Sequence, residues 1–209
     1  KELKNIQITL EQRVEQRTRE LTTANQNAEK RADQMKAIAE IARAVITVRE
    51  LDNLLRQLTK LVSERLGFYH VGIFLLDDEK EFAMLQAANS EGGIKMLARG
   101  HRLQVGQQGI VGYVTSRGVA RIALDVGEEA VFFNNPDLPE THSEVALPLK
   151  FGQEIIGALD IQSTETNAFS QEDVELFTIL ADQVSVAIQN ARSLEQAQRA
   201  LHEAEIASS

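Results

Sequence analysis

The sequence predicts an α+β fold, with an antiparallel sheet carrying helices on one face and set between a long N-terminal coiled-coil helix and a C-terminal helix extending out of the domain. Three observations predict it. A seven-residue apolar frame runs from Leu3 to Val45 without a Pro or Gly. The period then shortens to strand-like alternation in two hairpin patterns, Tyr69 to Ala88 and Ser143 to Ser163. A helical period returns after Ser170 and continues to the end of the chain. The expected organisation is a coiled-coil helix over 1–46, a globular domain over 47–192 and a linker helix over 193–209.

In the first segment the a positions are Gln7, Val14, Leu21, Ala28, Met35 and Ala42, and the d positions are Leu3, Leu10, Arg17, Ala24, Arg31, Ile38 and Val45. A strict seven-residue repeat keeps one stripe toward a partner helix. At 1.5 Å per residue the stretch makes a rod of roughly 65 Å, too long to lie on one small domain. The expected partner is a second copy, aligned parallel. Its interface is expected at Leu10, Val14, Leu21, Met35, Ile38, Ala42 and Val45, with Ala187, Leu194 and Leu201 from the last helix. Ala39, Ile41 and Ile46 widen the stripe and predict that more than two helices meet there.

Within the central domain, Thr47 and Glu50 have the spacing of a capping box, and Leu51 to Leu66 shows a broad apolar face ended by Gly67. Tyr69 to Leu76 and Glu81 to Ala88 read as a strand hairpin, and Asn89 to Lys95, with its adjacent glycines, as a loop. His101 to Val105 is expected as a short strand, Gly109 to Ser116 as a helix closed by Gly118, and Val119 to Val126 as strand-like. Gly127 to Thr141 is the longest irregular stretch. Ser143 to Lys150 and Glu154 to Ser163 form a second hairpin around Gly152. Ser170 and Asp173 repeat the capping spacing ahead of the last helix, whose core stripe is Val174, Phe177, Ala181, Val184 and Ile188. Leu180, Ala187, Ala191, Leu194 and Leu201 read as a second stripe, available to pack beside the first helix.

SEVALPLKFGQEIIGALDIQS (Ser143 to Ser163), followed by FSQEDVELFTILADQVSVAIQNA (Phe169 to Ala191), resembles the C-terminal half of a GAF domain, and GQQGIVGYV (Gly106 to Val114) resembles its short middle helix. LEQRVEQRTRELTTANQ (Leu10 to Gln26) is similar to the linker after the HAMP module in many bacterial sensor histidine kinases. The resemblance implies a dimeric relay module of a two-component sensor. A conformational signal would pass from the N-terminal coil through the GAF domain to a downstream output domain in the same chain. The alternative it implies is a small-molecule sensor whose ligand sets the output state.

The chemistry available is bounded by composition. The chain has 209 residues, a net charge of −9 and no cysteine. The negative balance disfavours nucleic acid and anionic membranes as partners. Without cysteine there is no disulfide, thiolate metal site, thiol nucleophile or attached bilin. The sulfoxide-reducing branch of the GAF family uses cysteines as well. The four histidines, His70, His101, His142 and His202, have no metal-ligand spacing, so neither a metal nor a cofactor is expected. His202-Glu203 lacks the continuation of a phosphoacceptor box, and the chain is expected to hold no catalytic site. Gly106, Gly109 and Gly112 match no phosphate-binding loop and read as turn and packing glycines. Family members that bind cyclic nucleotides carry an Asn-Lys pair, a Phe and an Asp-Glu pair. Here Phe169 and Asp173 match, while Gln162-Ser163 and Val174 depart. A pocket between sheet and long loop is expected to be lined by Tyr113, Arg121, Asp125, Phe132, Phe133, Asn134 and His142. No apolar run is long enough to span a bilayer, the helical patterns at both ends are expected of a piece cut from something longer, and the sensor-kinase resemblance implies the cytosolic part of a membrane-anchored receptor.

Overall fold

The computed structural model describes residues 2–45, 50–125 and 135–207 and divides the chain into two compact units, Lys1–Ala37 and Ile38–Ser209. The first unit lies within helix α1 (Glu2–Val45). Every described side chain from Ile6 to Asp33 is exposed in the single chain, including the stripe residues Leu10, Val14 and Leu21, and Met35 beyond them is exposed too. Local side-chain pairs such as Gln7 to Glu11 and Gln16 to Glu20, each at 3.0 Å, support this helix. They contribute only a few tenths of a kcal/mol apiece.

The second unit holds α2 (Leu51–Leu66), β1 (His70–Leu76), β2 (Phe82–Ala88), α3 (Glu91–Ala98), β3 (Arg102–Gln104), α4 (Gly109–Arg117), β4 (Arg121–Ala123), β5 (Ser143–Phe151), β6 (Glu154–Ser163) and α5 (Gln171–Ala207). The strands form one sheet in the order β3-β2-β1-β6-β5-β4, with every neighbouring pair antiparallel. Gly157 is required where β6 crosses β1, because a Cβ there would sit 2.0 Å from the Phe74 carbonyl oxygen.

Helices cover both faces of the sheet, not one. On the first face α2 (Leu54, Leu55, Leu58, Val62) and α5 (Phe177, Leu180, Val184, Ile188) pack against Ile73, Leu147 and Ile161. On the second, Met96 of α3 and Ile110, Val111 and Val114 of α4 pack against Phe74, Ala146 and Ala158. The physical reason is visible in β5, where Val145, Leu147 and Leu149 serve one face while Ala146 serves the other. A strand apolar in both alternations has to be buried on both sides.

Three further expectations are corrected. Ile38, expected at a dimer seam, is 2% exposed and belongs with Ile41 to the first core, covered by its own chain. Leu180 and Ala191 are buried in the same cluster as Ile38 and Ile41, as expected of a last helix that packs with the end of the first. Ala42, Ala187 and Leu194 are half-buried, Leu201 is exposed, and the side chain of Val45 lies outside the described residues. Helix α2 is not opened by a capping box. Thr47 lies outside the described residues, the N-cap is Glu50, and its side chain makes no cap bond. The Leu51 N–H instead donates to Glu195 Oε1 of α5 at 3.0 Å. Finally, Asn89 to Lys95 is not a loop. Ser90 caps α3, its Oγ accepting from the Gly93 N–H at 3.0 Å. The glycines lower helix propensity but permit contact, since a Cβ on Gly92 would lie 1.9 Å from the Asp137 carbonyl oxygen. Tertiary packing outweighs the propensity.

The capping box of α5 forms as expected. Ser170 Oγ accepts from the Asp173 N–H at 3.2 Å, and the Ser170 N–H donates to Asp173 Oδ2 at 2.8 Å. The glycine reading also holds: Gly106 and Gly109 take positive φ, and a Cβ on Gly112 would lie 2.6 Å from the Gln104 carbonyl oxygen.

Candidate functional site

Three strands set the site through their register. His70 of β1 and Glu144 of β5 both pair with Gln162 of β6, and one step along, Gly72 and Ala146 both pair with Asp160. Side chains two apart on a strand share a face, so His70, Glu144, Asp160 and Gln162 all lie on the α3/α4 side. Asp160 sits between a glycine and an alanine. Those small neighbours leave space above the carboxylate, and a cavity of about 30 Å³ opens there, walled by Phe74, Met96, Leu103, Ile110 and Leu138. Glu144, Asp160, Gln162, His101 and Asn135 supply its polar edge.

The polar groups are buried and oriented. His70 is fully buried, Asp160 is 2% exposed and Glu144 5%. Thr141 Oγ1 donates to Gln162 Oε1 at 2.6 Å, which turns the amide so that Nε2 donates to Asp160 Oδ2 at 2.7 Å. His70 Nδ1 lies 2.6 Å from Ser90 Oγ, whose lone pair already accepts from the Gly93 N–H. The hydroxyl hydrogen is therefore free to donate to Nδ1, which leaves the ring proton on Nε2. Neither His70 Nε2 nor Asp160 Oδ1 has a hydrogen-bond partner among the described residues. Unpaired buried polar atoms are costly and call for an explanation.

Burial pushes the His70 imidazole down to about 4, and the nearby His101 adds to the shift. Burial pushes the Asp160 carboxyl up to about 6, opposed by hydrogen bonds involving Glu144 and Gln162. At neutral pH the His70–Asp160 approach of 4.0 Å is therefore not an ion pair.

Of the residues expected to line a pocket, the structure brings two together. The Arg121 guanidinium lies 4.6 Å from the centre of the Tyr113 ring, beside this cavity and not in its wall. Asp125 and His142 are exposed. His142 faces outward because chain alternation there turns its neighbours Thr141 and Ser143 inward. Phe132, Phe133 and Asn134 lie outside the described residues. His70, Ser90, Glu144, Asp160 and Gln162 were missed. Their signal was present as acids spaced by two within otherwise apolar strands, Glu144 before Ala146 and Asp160 after Ala158. A larger groove of about 430 Å³ runs past Leu51, Lys80, Glu154, Arg192, Glu195 and Arg199, but charges there already pair, as in Lys80–Glu154 at 2.8 Å. Among the described residues, no group of three potential ligands is arranged to hold a metal ion, and no helix is long and apolar enough to cross a membrane.

A family model described as GAF domain matches residues 48–189. Among solved structures, the chain is similar to the free methionine-R-sulfoxide reductase of Neisseria meningitidis in complex with its substrate, at 20% identity and a TM-score of 0.68, covering 78% of this chain and 93% of that one. It is similar to the GAF domain of a phosphoenolpyruvate-protein phosphotransferase from Coxiella burnetii, at 22% identity and a TM-score of 0.68, covering 78% and 96%. The corresponding domain from Acinetobacter gives 22% identity and a TM-score of 0.66, covering 77% and 95%. No curated protein matches the chain. At these identities the solved structures speak to the fold alone.

Proposed function

Because the chain belongs to the GAF family, a sensory and signalling fold, we propose that it is the sensory module of a two-component signalling protein, in which occupancy of the Asp160 cavity sets the state passed to an output domain. The observation that carries this reading is the unpaired, buried Asp160 Oδ1 in the wall of that cavity. A domain that served only as a mechanical spacer gains nothing from a buried carboxylate with one oxygen left unpaired, whereas a binding site does. The cavity is bounded by α3, α4 and the sheet, and the opposite face of the sheet packs on α5 and on Ile38 and Ile41 of α1. A ligand that favours one packing of the sheet would bias both helices by the difference in its affinity for the two states. The module is proposed to act as a parallel homodimer through the exposed stripe of α1. The sulfoxide-reducing relative suggests a small polar metabolite as ligand, but the cysteine-free sequence offers no thiol for such chemistry.

The test is a screen of small metabolites by thermal shift on the whole chain, with native mass spectrometry of the purified protein. A bound small molecule or a compound that raises Tm supports the reading, provided the effect is reduced in Asp160→Asn. Binders that stabilise Asp160→Asn as well as the parent, or no binder at all, would overturn it.

A further inference from the structure

We infer that the outward face of α5 is a second seam between two copies of this chain, running parallel with Asn190 near its middle. It adds to the parallel dimer proposed above through α1 and owes nothing to the Asp160 cavity. Helix α5 buries Phe177, Leu180, Val184 and Ile188 in the first core. On its back, Ile179, Gln183, Val186, Asn190, Ser193, Ala197, Ala200 and Ala204 are all exposed, Ile179 at 44% and Val186 at 47%. Their spacing alternates four and three without a break, which is the period of a coiled-coil seam. At 1.5 Å per residue the row runs for roughly 40 Å.

Charge selects the partner. Between Ile179 and Ala204 the helix carries Asp182, Arg192, Glu195, Arg199 and Glu203, and none of them falls on the row. The solvent face of a helix ordinarily carries charge. An uncharged row fits an uncharged surface, and the same row on a second copy supplies one. Asn190 is self-complementary, because its side-chain amide both donates and accepts. One flank of the row is apolar, with Ala187 and Leu194 half-buried and Leu201 exposed. From Gln196 to Ala204 every side chain is exposed, so this stretch has no packing in the single chain to hold it helical.

Flanking charge sets the direction. In a parallel pair Asp182, Gln189 and Gln196 face Ala187, Leu194 and Leu201 of the second copy, and no like charges meet. Run antiparallel, with Ile179 opposite Ala204, the pair would place Asp182 against Glu203 at both ends. Gln183, Asn190 and Ser193 make the row weaker than an all-apolar one, while a polar residue within a seam fixes its register. The row therefore closes in a dimer that the α1 stripe already holds, and does not hold one alone. Since α5 touches the sheet on one face and the second copy on the other, it joins the two.

The experiment is disulfide cross-linking and sedimentation equilibrium of the whole chain, which has no cysteine of its own. Val186→Cys and Ala197→Cys are each expected to link to the same residue of the second copy on mild oxidation. They should do so at least about tenfold faster than Thr178→Cys or Arg199→Cys, exposed positions off the row. Val186→Asp sets two like charges against each other and should weaken the dimer at least about tenfold. Its far-ultraviolet circular dichroism should match the parent, because the side chain is exposed in the single chain. Asn190→Asp is the second variant, for the case that the first is misfolded, and should weaken the dimer too. Links at Val186 and Ala197 no faster than the controls, or a dimer as tight in both aspartate variants as in the parent, would overturn this seam and leave the α1 stripe standing. A link that forms only when Val186→Cys and Ala197→Cys are mixed would overturn the parallel direction. A monomeric parent would overturn both seams.

Discussion

His70 and Asp160 titrate in the same pH window with opposite consequences for stability. The Asp160 carboxyl, at about 6 when folded against 3.8 ordinarily, favours its protonated form in the folded state. Its contribution is full below about pH 4 and is lost as pH rises through 6. The His70 ring, at about 4 when folded against 6.5 ordinarily, favours its neutral form. That contribution is full above pH 6.5 and is lost as pH falls toward 4. Each shift corresponds to roughly 3 kcal/mol, so the two slopes largely cancel between pH 4 and 6 in the parent. Asp160→Asn should be more stable than the parent at pH 7.5 and should lose stability steeply on acidification, because His70 is then unopposed. His70→Asn should instead gain stability between pH 6 and 4. Urea denaturation at pH 7.5, 6, 5 and 4 checks this, and parallel curves for all three proteins would contradict it. A gain on removing Asp160 is the expected mark of a residue kept for binding and not for folding.

At the scale of elements, the two capping sites of the long helices behave differently. The Ser170–Asp173 box is local, so four consecutive residues are enough to reveal it. The start of α2 is closed by Glu195, 144 residues later, and no local pattern could announce that bond. The contact joins the point where the chain enters the domain to the helix by which it leaves. Glu195→Ala removes the acceptor for the Leu51 N–H and should cost about 1 kcal/mol, typical of a lost cap, which lowers Tm by about 2–4 °C in a chain of this size. Glu195→Gln retains an acceptor oxygen and should stay near the parent. Differential scanning calorimetry of the two variants decides it, and an alanine variant as stable as the glutamine one would mean that the bond contributes nothing. Helix α3 teaches the converse lesson. Its glycines read locally as a loop, but they are the residues that let the helix approach Asp137 and Ala88.

For the whole molecule, the exposed stripe at Leu10, Val14 and Leu21 predicts association. A helix whose described side chains are solvated over about eight turns gains no packing energy in the single chain, and packing of one face is where most helical stability in proteins comes from. Leu21→Cys should form a disulfide-linked dimer rapidly on mild oxidation, pairing with the same residue of the second copy. Sedimentation equilibrium at tens of micromolar should show a dimer that is lost when residues 1–37 are removed, while the remaining unit keeps its fold. A monomeric parent, or Leu21 cross-links no faster than those of an outward position such as Arg19→Cys, would exclude a parallel seam.

The sequence by itself determined the helical and strand periods, the two hairpins, the box at Ser170 and the GAF assignment, because each of these is written in residues close along the chain. Periodicity of 3.5 or 2 and turn glycines such as Gly152 act over a few residues and need no knowledge of the rest. Only the tertiary structure decided which acids face a cavity, that Ile38 belongs to a core of its own chain, and that Glu195 serves α2. His70, Glu144 and Asp160 are brought together by the pairing of β1, β6 and β5. A shift of one residue in either register would turn Asp160 to the opposite face of the sheet relative to its neighbours. The balance that selects one register is the burial of two apolar faces at once, a property of the six strands and the helices packed on both of their faces. No single segment contains it.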